Sequence, residues 1–390
     1  MTATSTPLIN VQGNPVNASQ IDPEAFFRYT RRQRGKMATT IASWAGFGET
    51  DTMELKQTGI LGAIDLKFTG TLTITLGSGT CASTAKWPYD LFKIIKVAAN
   101  GQSNLINAKG SFIRAREFIA QPGLTDRGVD QTVAGTTVDQ GTLSLASESW
   151  GVGQSTTGLT SGSYDVLLSL RIPIAWDLIQ LFGALYLQTS STSVDLSVEW
   201  ANISDLFTLA GGATVAMTGS LMAEGVLFSI PNVGGVAVIP DLSTFHAFTQ
   251  SSTADVTTTS NETVLSGQGT NKQLMRALWQ VWNSGQPGSP LAMNKTNFGQ
   301  IGWGYGLSEE PEIWQDGDSM RIALEHRYGV DMGSIYGIAC VDFAEHWAFR
   351  DSVNEGSASQ IALLTDVLAS LTTPRLEYAQ EVMINSGAAA

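Results

Sequence analysis

The segment from Tyr164 to Phe207 constrains the fold of this chain more than any other. A β-rich run from Val166 to Ile172 stops at Pro173, and an apolar block from Trp176 to Leu187 follows. After a Ser/Thr turn, apolar and polar residues alternate from Val194 to Trp200. Such alternation marks a strand with one buried face, whereas a proline can open a helix but cannot continue a central strand. The segment therefore predicts a strand, a short buried helix and a second strand, with no reactive residue at its centre.

Length and composition indicate a folded protein with two cores. The chain has 390 residues, and a single hydrophobic core stops growing at about 250. Hydrophobic residues make up 43% and charged residues only 15%, the reverse of a disordered chain. The net charge of −13 argues against a nucleic-acid-binding protein, which needs a positive field, so no sequence-specific nucleic-acid partner is expected.

The order of strand patterns and breaks divides the chain into four parts. Residues 1–50 are predicted as an N-terminal arm with a basic helix, and residues 51–232 as a first β-rich domain. Residues 233–240 follow as a glycine-rich linker, and residues 241–390 as a second β-rich domain with a polar tail. Each domain has room for the eight strands of a jelly roll. The predicted fold class is therefore all-β, with two tandem eight-stranded jelly rolls, short helices and long loop excursions.

Apolar periodicity places further elements in both domains. Residues 358–371 are predicted as a short helix or ordered loop, and residues 114–119 are ambiguous. Long excursions are expected at residues 121–162 and 283–318. Strands are predicted at Ile60–Leu76, Leu91–Val97, Leu221–Ile230, Leu274–Trp282, Met320–His326, Ser334–Phe343 and Arg375–Ile384.

The strongest candidate for partner binding lies near the N terminus. Asp22 can cap a helix that has Pro23 at its first position. Aromatic and basic residues then crowd into a few positions, namely Phe26, Phe27, Arg28, Arg31, Arg32, Arg34 and Lys36. One interpretation is a solvated basic helix face. The other is contact with an anionic partner, which could be lipid headgroups, nucleic acid or an acidic patch on a neighbouring subunit.

Patterns of catalysis and metal binding are weak throughout the sequence. His246, His326 and His346 lack the spacing of a metal site, and no nucleophile elbow or phosphate-binding loop occurs. Residues 302–306 resemble a glycine-rich loop without a following helix, and residues 316–319 predict a turn rather than a calcium loop. We therefore expect no enzymatic activity, no catalytic residue, no metal and no cofactor.

Cysteines and targeting signals favour a protein made in the cytoplasm. Cys81 and Cys340 lie far apart and are predicted as structural thiols, although a disulfide between them stays possible. No membrane-spanning stretch and no signal peptide are visible in the sequence.

Ten tryptophans are scattered singly along the chain, several of them in the predicted excursions. Aromatic residues are enriched in the cores of protein interfaces. Trp176, Trp303, Tyr305 and Trp314 are therefore candidates for subunit contacts. A sugar-binding platform is the rival interpretation of the exposed tryptophans.

Five segments, in this order, resemble the major capsid proteins of internal-membrane bacteriophages of the tectivirus type, which have a double jelly roll. They are GILGAIDLKF, DLFKIIKVAANGQ, the strand–helix–strand block LLSLRIPIAWDLIQLFGALYL with VDLSVEWAN, the junction VIPDLSTFHAF and the closing RLEYAQEVMIN. The resemblance covers residues 20–385.

The resemblance implies a viral structural protein located in the virion and synthesised in the host cytoplasm. Its homotrimers would form pseudo-hexameric units that tile an icosahedral capsid over an internal lipid membrane. The implied partners are neighbouring trimers, penton and minor coat proteins, and the viral membrane, with the basic N-terminal set facing that membrane. Two alternatives are a carbohydrate-binding β-sandwich, such as a receptor-binding or fibre protein, and a β-sandwich glycoside hydrolase using the acidic residues 309–312.

Overall fold

The computed structural model describes most of the chain. The described residues are 20–36, 41, 43–55, 58–84, 86–99, 102–120, 130–133, 136–138, 159–188, 194–253, 256–257, 260–265, 271–283, 289–305, 309–329, 337–344, 353–354 and 361–385.

Strands dominate the described residues, with a few short helices between them. The strands before residue 230 are β1 (Gln20–Ile21), β2 (Arg32–Lys36), β3 (Thr50–Glu54), β4 (Ile60–Thr75), β5 (Thr80–Ser83), β6 (Phe92–Ala99), β7 (Gln102–Ala108), β8 (Asp130–Val133), β9 (Thr136–Val138), β10 (Gly162–Pro173), β11 (Leu185–Tyr186), β12 (Val194–Trp200), β13 (Phe207–Ala210) and β14 (Thr214–Phe228). The later strands are β15 (Asn232–Val233), β16 (Val236–Ile239), β17 (Thr244–Thr253), β18 (Ser260–Val264), β19 (Lys272–Asn283), β20 (Ser289–Pro290), β21 (Phe298–Tyr305), β22 (Glu309–Trp314), β23 (Ala339–Asp342), β24 (Val353–Asn354), β25 (Ile361–Val367) and β26 (Arg375–Asn385). The helices are α1 (Pro23–Tyr29), α2 (Gly110–Ala120), α3 (Ile203–Leu206) and α4 (Gly317–Tyr328), with a 3₁₀ turn at Tyr89–Leu91.

The first half of the chain forms a sandwich of two antiparallel sheets. One sheet has the order β2-β14-β4-β10-β8-β9, and the facing strands are β3-β12-β6-β7. Phe68 of β4 lies between them, with its ring centroid 5.3 Å from that of Trp200 and 6.5 Å from that of Phe92. These rings are buried, so the long alternating strands predicted from the sequence meet through their apolar faces.

The second half forms another sandwich, in which the sheet β18-β25-β21-β22 faces the strands β17, β26 and β19. Trp303 of β21 packs edge-on against Phe343, which follows β23, with the ring centroids 4.5 Å apart. Because β23 pairs with β19, this contact joins the two sheets of the second sandwich.

A single sheet runs through both sandwiches. Strand β7 of the first pairs in parallel with β17 of the second, with Ile106 opposite Phe248. The result is a sheet of ten strands in the order β20-β19-β26-β17-β7-β6-β12-β3, with β23 and β24 also paired to β19. The predicted linker itself forms the hairpin β15–β16, and Gly234 and Gly235 adopt φ of 62° and 88° at its turn, which favours glycine.

Several predicted elements are confirmed. The strand patterns at 60–76, 91–97, 221–230, 274–282 and 375–384 correspond to β4, β6, β14, β19 and β26. Ala339–Asp342 confirms part of the strand predicted at 334–343. The ambiguous residues 114–119 belong to α2.

Other predictions are wrong. Residues 176–187 contain no α-helix, because Leu181 and Gly183 adopt φ of 58° and 79° and the chain turns there before β11. Residues 320–326 belong to helix α4 instead of a strand. Asp316 caps this helix, and Met320 and Leu324, which lie one turn apart on it, are both buried. Residues 361–367 form strand β25, paired on both sides. The excursion predicted at 283–318 contains β20, β21 and β22. The one predicted at 121–162 lies mostly outside the described residues, and its described part includes β8 and β9.

Candidate functional site

Helix α1 begins as its sequence predicts. Asp22 caps it by accepting a hydrogen bond from the backbone N–H of Ala25 at 3.0 Å, and Pro23 occupies the first turn. The helix ends at Tyr29, and the basic residues that follow form strand β2, so the prediction of a continuous basic helix is wrong. Phe26 is 0% exposed and packs in a cluster with Ile60, Val226 and Phe228. This residue therefore anchors the helix and does not belong to any partner-facing surface.

The remaining members of the basic aromatic set are exposed wherever their side chains are described. Ile21 and Tyr29 beside them are exposed as well, and we call the whole group the N-terminal surface: Ile21, Phe27, Arg28, Tyr29, Arg31, Arg32 and Arg34. Strand β2 is an edge strand that pairs with β14, Arg32 lying opposite Phe228. Arg28 forms an exposed pair with Glu24 at 3.5 Å, and Arg34 bonds Asp65. The side chain of Lys36 lies outside the described residues.

A buried charge cluster joins the two sandwiches beside the segment that begins at Trp176. Glu381 of β26 is 0% exposed and accepts hydrogen bonds from Arg116 Nε and Arg276 Nη1, both at 2.7 Å. Arg276 lies on β19 directly opposite Glu381, whereas Arg116 comes from α2 of the first sandwich. His246 Nε2 lies 3.2 Å from Glu381 Oε1, and its Nδ1 lies 3.2 Å from the carbonyl oxygen of Pro173. One carboxylate thus ties elements of both halves together.

The arginines decide the charge state of this cluster. Burial by itself raises the pKa of Glu381, but Arg116 and Arg276, helped by His246, outweigh it and hold that pKa well below its usual 4.5. Burial lowers the pKa of Arg276, and Asp342 and Glu381 together raise it above its usual value. Glu381 and Arg276 therefore stay ionised across the physiological pH range.

Trp176, the first residue of the apolar block, covers the cluster. Its ring lies 4.8 Å from the Arg276 guanidinium and 5.8 Å from that of Arg116, distances typical of cation–π contacts. Its carbonyl oxygen accepts a hydrogen bond from Arg116 Nη2 at 2.7 Å. Gly183 closes the turn behind it, where a Cβ would lie 2.5 Å from that of His246. The Trp176–Leu187 block therefore folds as a cap on the charge cluster.

A cavity of about 490 Å³ opens beside this cap. The first sandwich contributes α2, the end of β10 and residues 175–179, and the second contributes residues of β19, α4 and β23. Its charged walls are Arg116, Arg171, Arg276, Arg327, Asp177 and Asp342. Asp342 binds Arg276 at 2.7 Å and also accepts a hydrogen bond from Tyr328 at 3.2 Å.

A smaller ion cluster ties the sandwiches together at the other end of the seam. Lys109, just before α2, donates hydrogen bonds to Glu377 at 2.6 Å and to Gln280 at 2.7 Å. Arg375 also binds Glu377, at 2.7 Å. Ion pairs to strands of the second sandwich therefore hold helix α2 just before its first residue, through Lys109, and in its middle, through Arg116.

The other predicted site residues are scattered. Trp176 and Trp303 are buried within the chain, which does not support subunit contacts through their rings, and Trp314 is half-buried. The side chain of Tyr305 and all of His346 lie outside the described residues, and His326 lies on α4. Subunit contacts by these residues stay a prediction.

Cys81 and Cys340 are buried free thiols. Within the described residues, no three His, Cys, Asp or Glu side chains converge as a metal site would require. No helix in the described part is long and apolar enough to cross a membrane.

Sequence reasoning missed Glu381 and Arg276, although both leave a signal. Each is a charged residue inside a run that becomes a buried strand, β26 or β19. A charge in such a run requires a buried partner, but the sequence does not say which strands become neighbours.

Comparisons with known proteins bear on the fold. No protein-family model matches the sequence, and no curated protein does either. Among solved structures, the chain is similar to the major capsid protein of Sulfolobus turreted icosahedral virus, with 13% identity and a TM-score of 0.65 over 91% of this chain and 97% of that one. It is also similar to major capsid protein P2 of bacteriophage PM2, with 9% identity and a TM-score of 0.51 over 92% and 100%. The Faustovirus major capsid protein matches with 8% identity and a TM-score of 0.53 over 98% and 92%.

These likenesses span nearly the whole of each chain, and at such identities they establish the fold. The chain has the double jelly-roll fold that these proteins share, which confirms the predicted fold class and the double jelly-roll class to which the resemblance pointed.

Proposed function

We propose that this chain is a viral major capsid protein, a structural protein without enzymatic activity. The observation that carries the proposal is the double jelly roll shared with viral major capsid proteins over more than 90% of both chains. Fold alone does not dictate function, but the buried charged residues Arg116, Arg276 and Glu381 are paired with one another across the two sandwiches. Its place would be the virion, after synthesis in the host cytoplasm.

The unit of assembly proposed is a homotrimer. One chain supplies two sandwiches side by side in a shared sheet, so three chains supply six similar bodies, which suits hexagonal tiling of an icosahedral shell. Neighbouring trimers, penton proteins and minor coat proteins would be its partners. Light scattering on the purified protein should give three times the chain mass of 41.5 kDa, and electron microscopy should show a pseudo-hexagonal outline. A monodisperse monomer at every concentration would count against this assembly.

We further propose that the N-terminal surface faces an internal lipid membrane. It combines exposed aromatic rings with exposed arginines, a composition typical of contacts with anionic headgroups. Each arginine near such a surface contributes about 1 kcal/mol, and a trimer multiplies the contacts. Replacing Arg31, Arg32 and Arg34 together by Ser should therefore weaken binding to phosphatidylglycerol vesicles by at least about tenfold in a sedimentation assay.

A matched control removes the same charge elsewhere. Lys67, Lys93 and Lys96 are exposed on the first sandwich, and their replacement by Ser also lowers the net charge by three. The control variant should keep most of the vesicle binding. Equal binding by both triple variants would show that only overall charge matters and would remove the membrane-facing role from the N-terminal surface.

The carbohydrate-binding alternative is not favoured. It relied on loop tryptophans that stack on sugars, and Trp303 is instead buried against Phe343. The glycoside hydrolase alternative relied on acidic residues converging in a loop, and Glu312 instead lies on strand β22, 3.5 Å from Arg327.

A further inference from the structure

The exposed apolar side chains are unevenly distributed over the described part of the chain. Eight large ones are exposed there, and five of these lie on elements around the cluster that buries Phe26, which we call the Phe26 cluster. Each of these elements either contributes a residue to the Phe26 cluster or pairs with a strand that does. Single exposed apolar residues are ordinary, but such a concentration marks a contact site. The five are Ile21, Phe27, Tyr29, Ile179 and Val233.

Ile179 is the most exposed of the eight, with 73% of its surface accessible, and it does not belong to the N-terminal surface. It lies in the cap over the charge cluster, at a turn of residues 177–180 that we call the cap tip. Asp177 holds this turn, because its Oδ1 accepts hydrogen bonds from the backbone N–H of Ile179, at 2.6 Å, and from that of Gln180. The outward position of Ile179 is therefore fixed by the fold.

The cap tip lies on the same sheet face as the arginines of β2. Leu178 of the tip packs over β4, where a Cβ at Gly62 would lie 2.7 Å from its Cδ2. Arg34 lies opposite Val226, and Val226 lies opposite Ala63. Residues directly opposite each other share one face of a sheet, and on this face Val226 and Ala63 belong to the Phe26 cluster, against which Leu178 packs. β2 and β4 are two strand spacings apart, about 10 Å, so the cap tip and the N-terminal surface can meet one partner together.

We propose that the cap tip inserts Ile179 into the apolar edge of the lipid bilayer that the N-terminal surface faces. The inference rests on the proposed function, which supplies the membrane. It adds a contact of a different kind, since the arginines attract headgroups through charge, whereas Ile179 contributes only when its side chain leaves water. A bilayer takes up a protruding apolar side chain without a preformed pocket. A second copy of this chain would need a cavity that matches the tip, which makes the bilayer the better partner.

Vesicle sedimentation with phosphatidylglycerol measures the contribution of Ile179. Ile179→Ser should weaken binding about tenfold, the effect of one large apolar side chain that leaves water. Ile179→Leu should bind as the unchanged protein does, because leucine is equally apolar. Ile322→Ser is the matched control, since Ile322 is 48% exposed on helix α4 of the second sandwich. This control should leave vesicle binding unchanged.

Salt separates the apolar contact from the charge attraction. The loss caused by Ile179→Ser should stay the same when the salt concentration is raised, because salt screens charges and leaves apolar burial in place. The loss caused by replacing Arg31, Arg32 and Arg34 together should shrink under the same conditions.

A fluorescent label reports directly where position 179 lies. Both native cysteines are buried, so an environment-sensitive thiol dye on Ile179→Cys labels this position selectively. On addition of phosphatidylglycerol vesicles its emission should shift to shorter wavelength, and nitroxide groups on the lipid acyl chains should quench it. The same dye on Ile322→Cys should show neither change.

Three outcomes would overturn the proposal. They are a label at position 179 that stays in water while the protein is bound to vesicles, equal losses for Ile179→Ser and Ile322→Ser, and an emission shift that follows protein concentration without vesicles, which would mean that a second copy covers the tip. Each of these leaves the membrane-facing role of the N-terminal surface standing. Failure of the unchanged protein to bind vesicles would remove that role as well, and none of these results bears on the trimer measurement.

Discussion

Replacing Glu381 by Gln should destabilise the protein by about 3–5 kcal/mol, the usual cost of removing one partner from a buried ion pair. Glu381 is fully buried and accepts two charge-assisted hydrogen bonds at 2.7 Å, one from each sandwich. Each such bond contributes about 1.5–3 kcal/mol. Gln keeps the size of the side chain, but its amide turns two N–H groups toward a guanidinium. Arg116 is then left buried without a carboxylate.

Equilibrium urea unfolding, followed by tryptophan fluorescence and by circular dichroism at equal protein concentration, measures the loss. Glu199→Gln is the matched control, because Glu199 binds Lys93 at 2.6 Å while the side chains of Lys93 and Glu199 are 46% and 29% exposed. Surface pairs of this kind contribute about 0–1 kcal/mol. A loss for Glu381→Gln below about 1 kcal/mol, or no larger than that of the control, would refute the argument that this cluster joins the sandwiches.

The pH dependence provides a second check on the same variant. The pKa of Glu381 in the folded protein lies below the usual 4.5. The ionised carboxylate therefore stabilises the folded protein at pH values above the pKa that Glu381 has in the unfolded chain. The difference in unfolding free energy between the unchanged protein and Glu381→Gln should therefore be constant from about pH 8 to about pH 6. It should shrink as the pH falls below about 4.5, because the unfolded state then takes up a proton that the folded state does not. A difference that grows on acidification would contradict this sign.

Three further predictions concern other positions. Gly183→Ala should lower the free energy of unfolding more than Gly212→Ala does in the same urea assay. Both glycines have a positive φ of about 80°, but only a Cβ at position 183 meets His246, at 2.5 Å. Equal losses would mean that the clash at position 183 relaxes. Cys340 should resist thiol reagents at pH 8 until the protein is unfolded, because burial raises the pKa of its thiol to about 12; rapid labelling of the folded protein at this residue would contradict it. Phe26→Ala should release helix α1, because a helix of only seven residues does not persist without packing. Limited trypsin digestion should then cleave after the adjacent arginines at least about tenfold faster. An unchanged cleavage rate would show that other contacts hold the helix.

The sequence predicts the strands well where one face of a long strand is buried. β12 alternates along its whole length and β4 alternates from Ile64 onward, because each strand there has a core side and an outer side. The cap of α1 was also predictable, since Asp22 and Pro23 act locally.

Predictions fail for short segments because a few apolar residues can fit both the two-residue period of a strand and the four-residue spacing of a helix. Met320, Ile322 and Leu324 alternate as in a strand, yet Ile322 is exposed, and the burial of Met320 and Leu324 follows the helical spacing. The local signal that decides between the two is Asp316, whose carboxylate accepts the N–H of Ser319 at 2.7 Å. From the sequence alone, residues 316–319 predict only a turn.

The candidate site was beyond sequence reasoning for a different reason. Arg276 and Glu381 lie opposite each other on paired strands of the second sandwich, and Arg116 reaches Glu381 from α2 across the seam at which β7 pairs with β17. The apolar composition of the block beginning at Trp176 predicts a buried helix. Its apolar residues instead serve two neighbours, since Trp176 covers the charge cluster and Leu181 packs with the α1 cluster. A segment that packs against two different partners need not show the hydrophobic period of a helix or of a strand.

The seam between the sandwiches has consequences for how a shell could be built. A flexible linker would let the two jelly rolls of one chain hinge, but here the sheet is continuous through β7 and β17. Bending it would also separate Arg116 and Lys109 from carboxylates that they bind at 2.6–2.7 Å. The angle between the two rolls is therefore set within the chain, at a cost to change it of several kcal/mol. In the proposed trimers, curvature would have to be taken up between chains, and the hexagonal outline would be the same at every position of the shell.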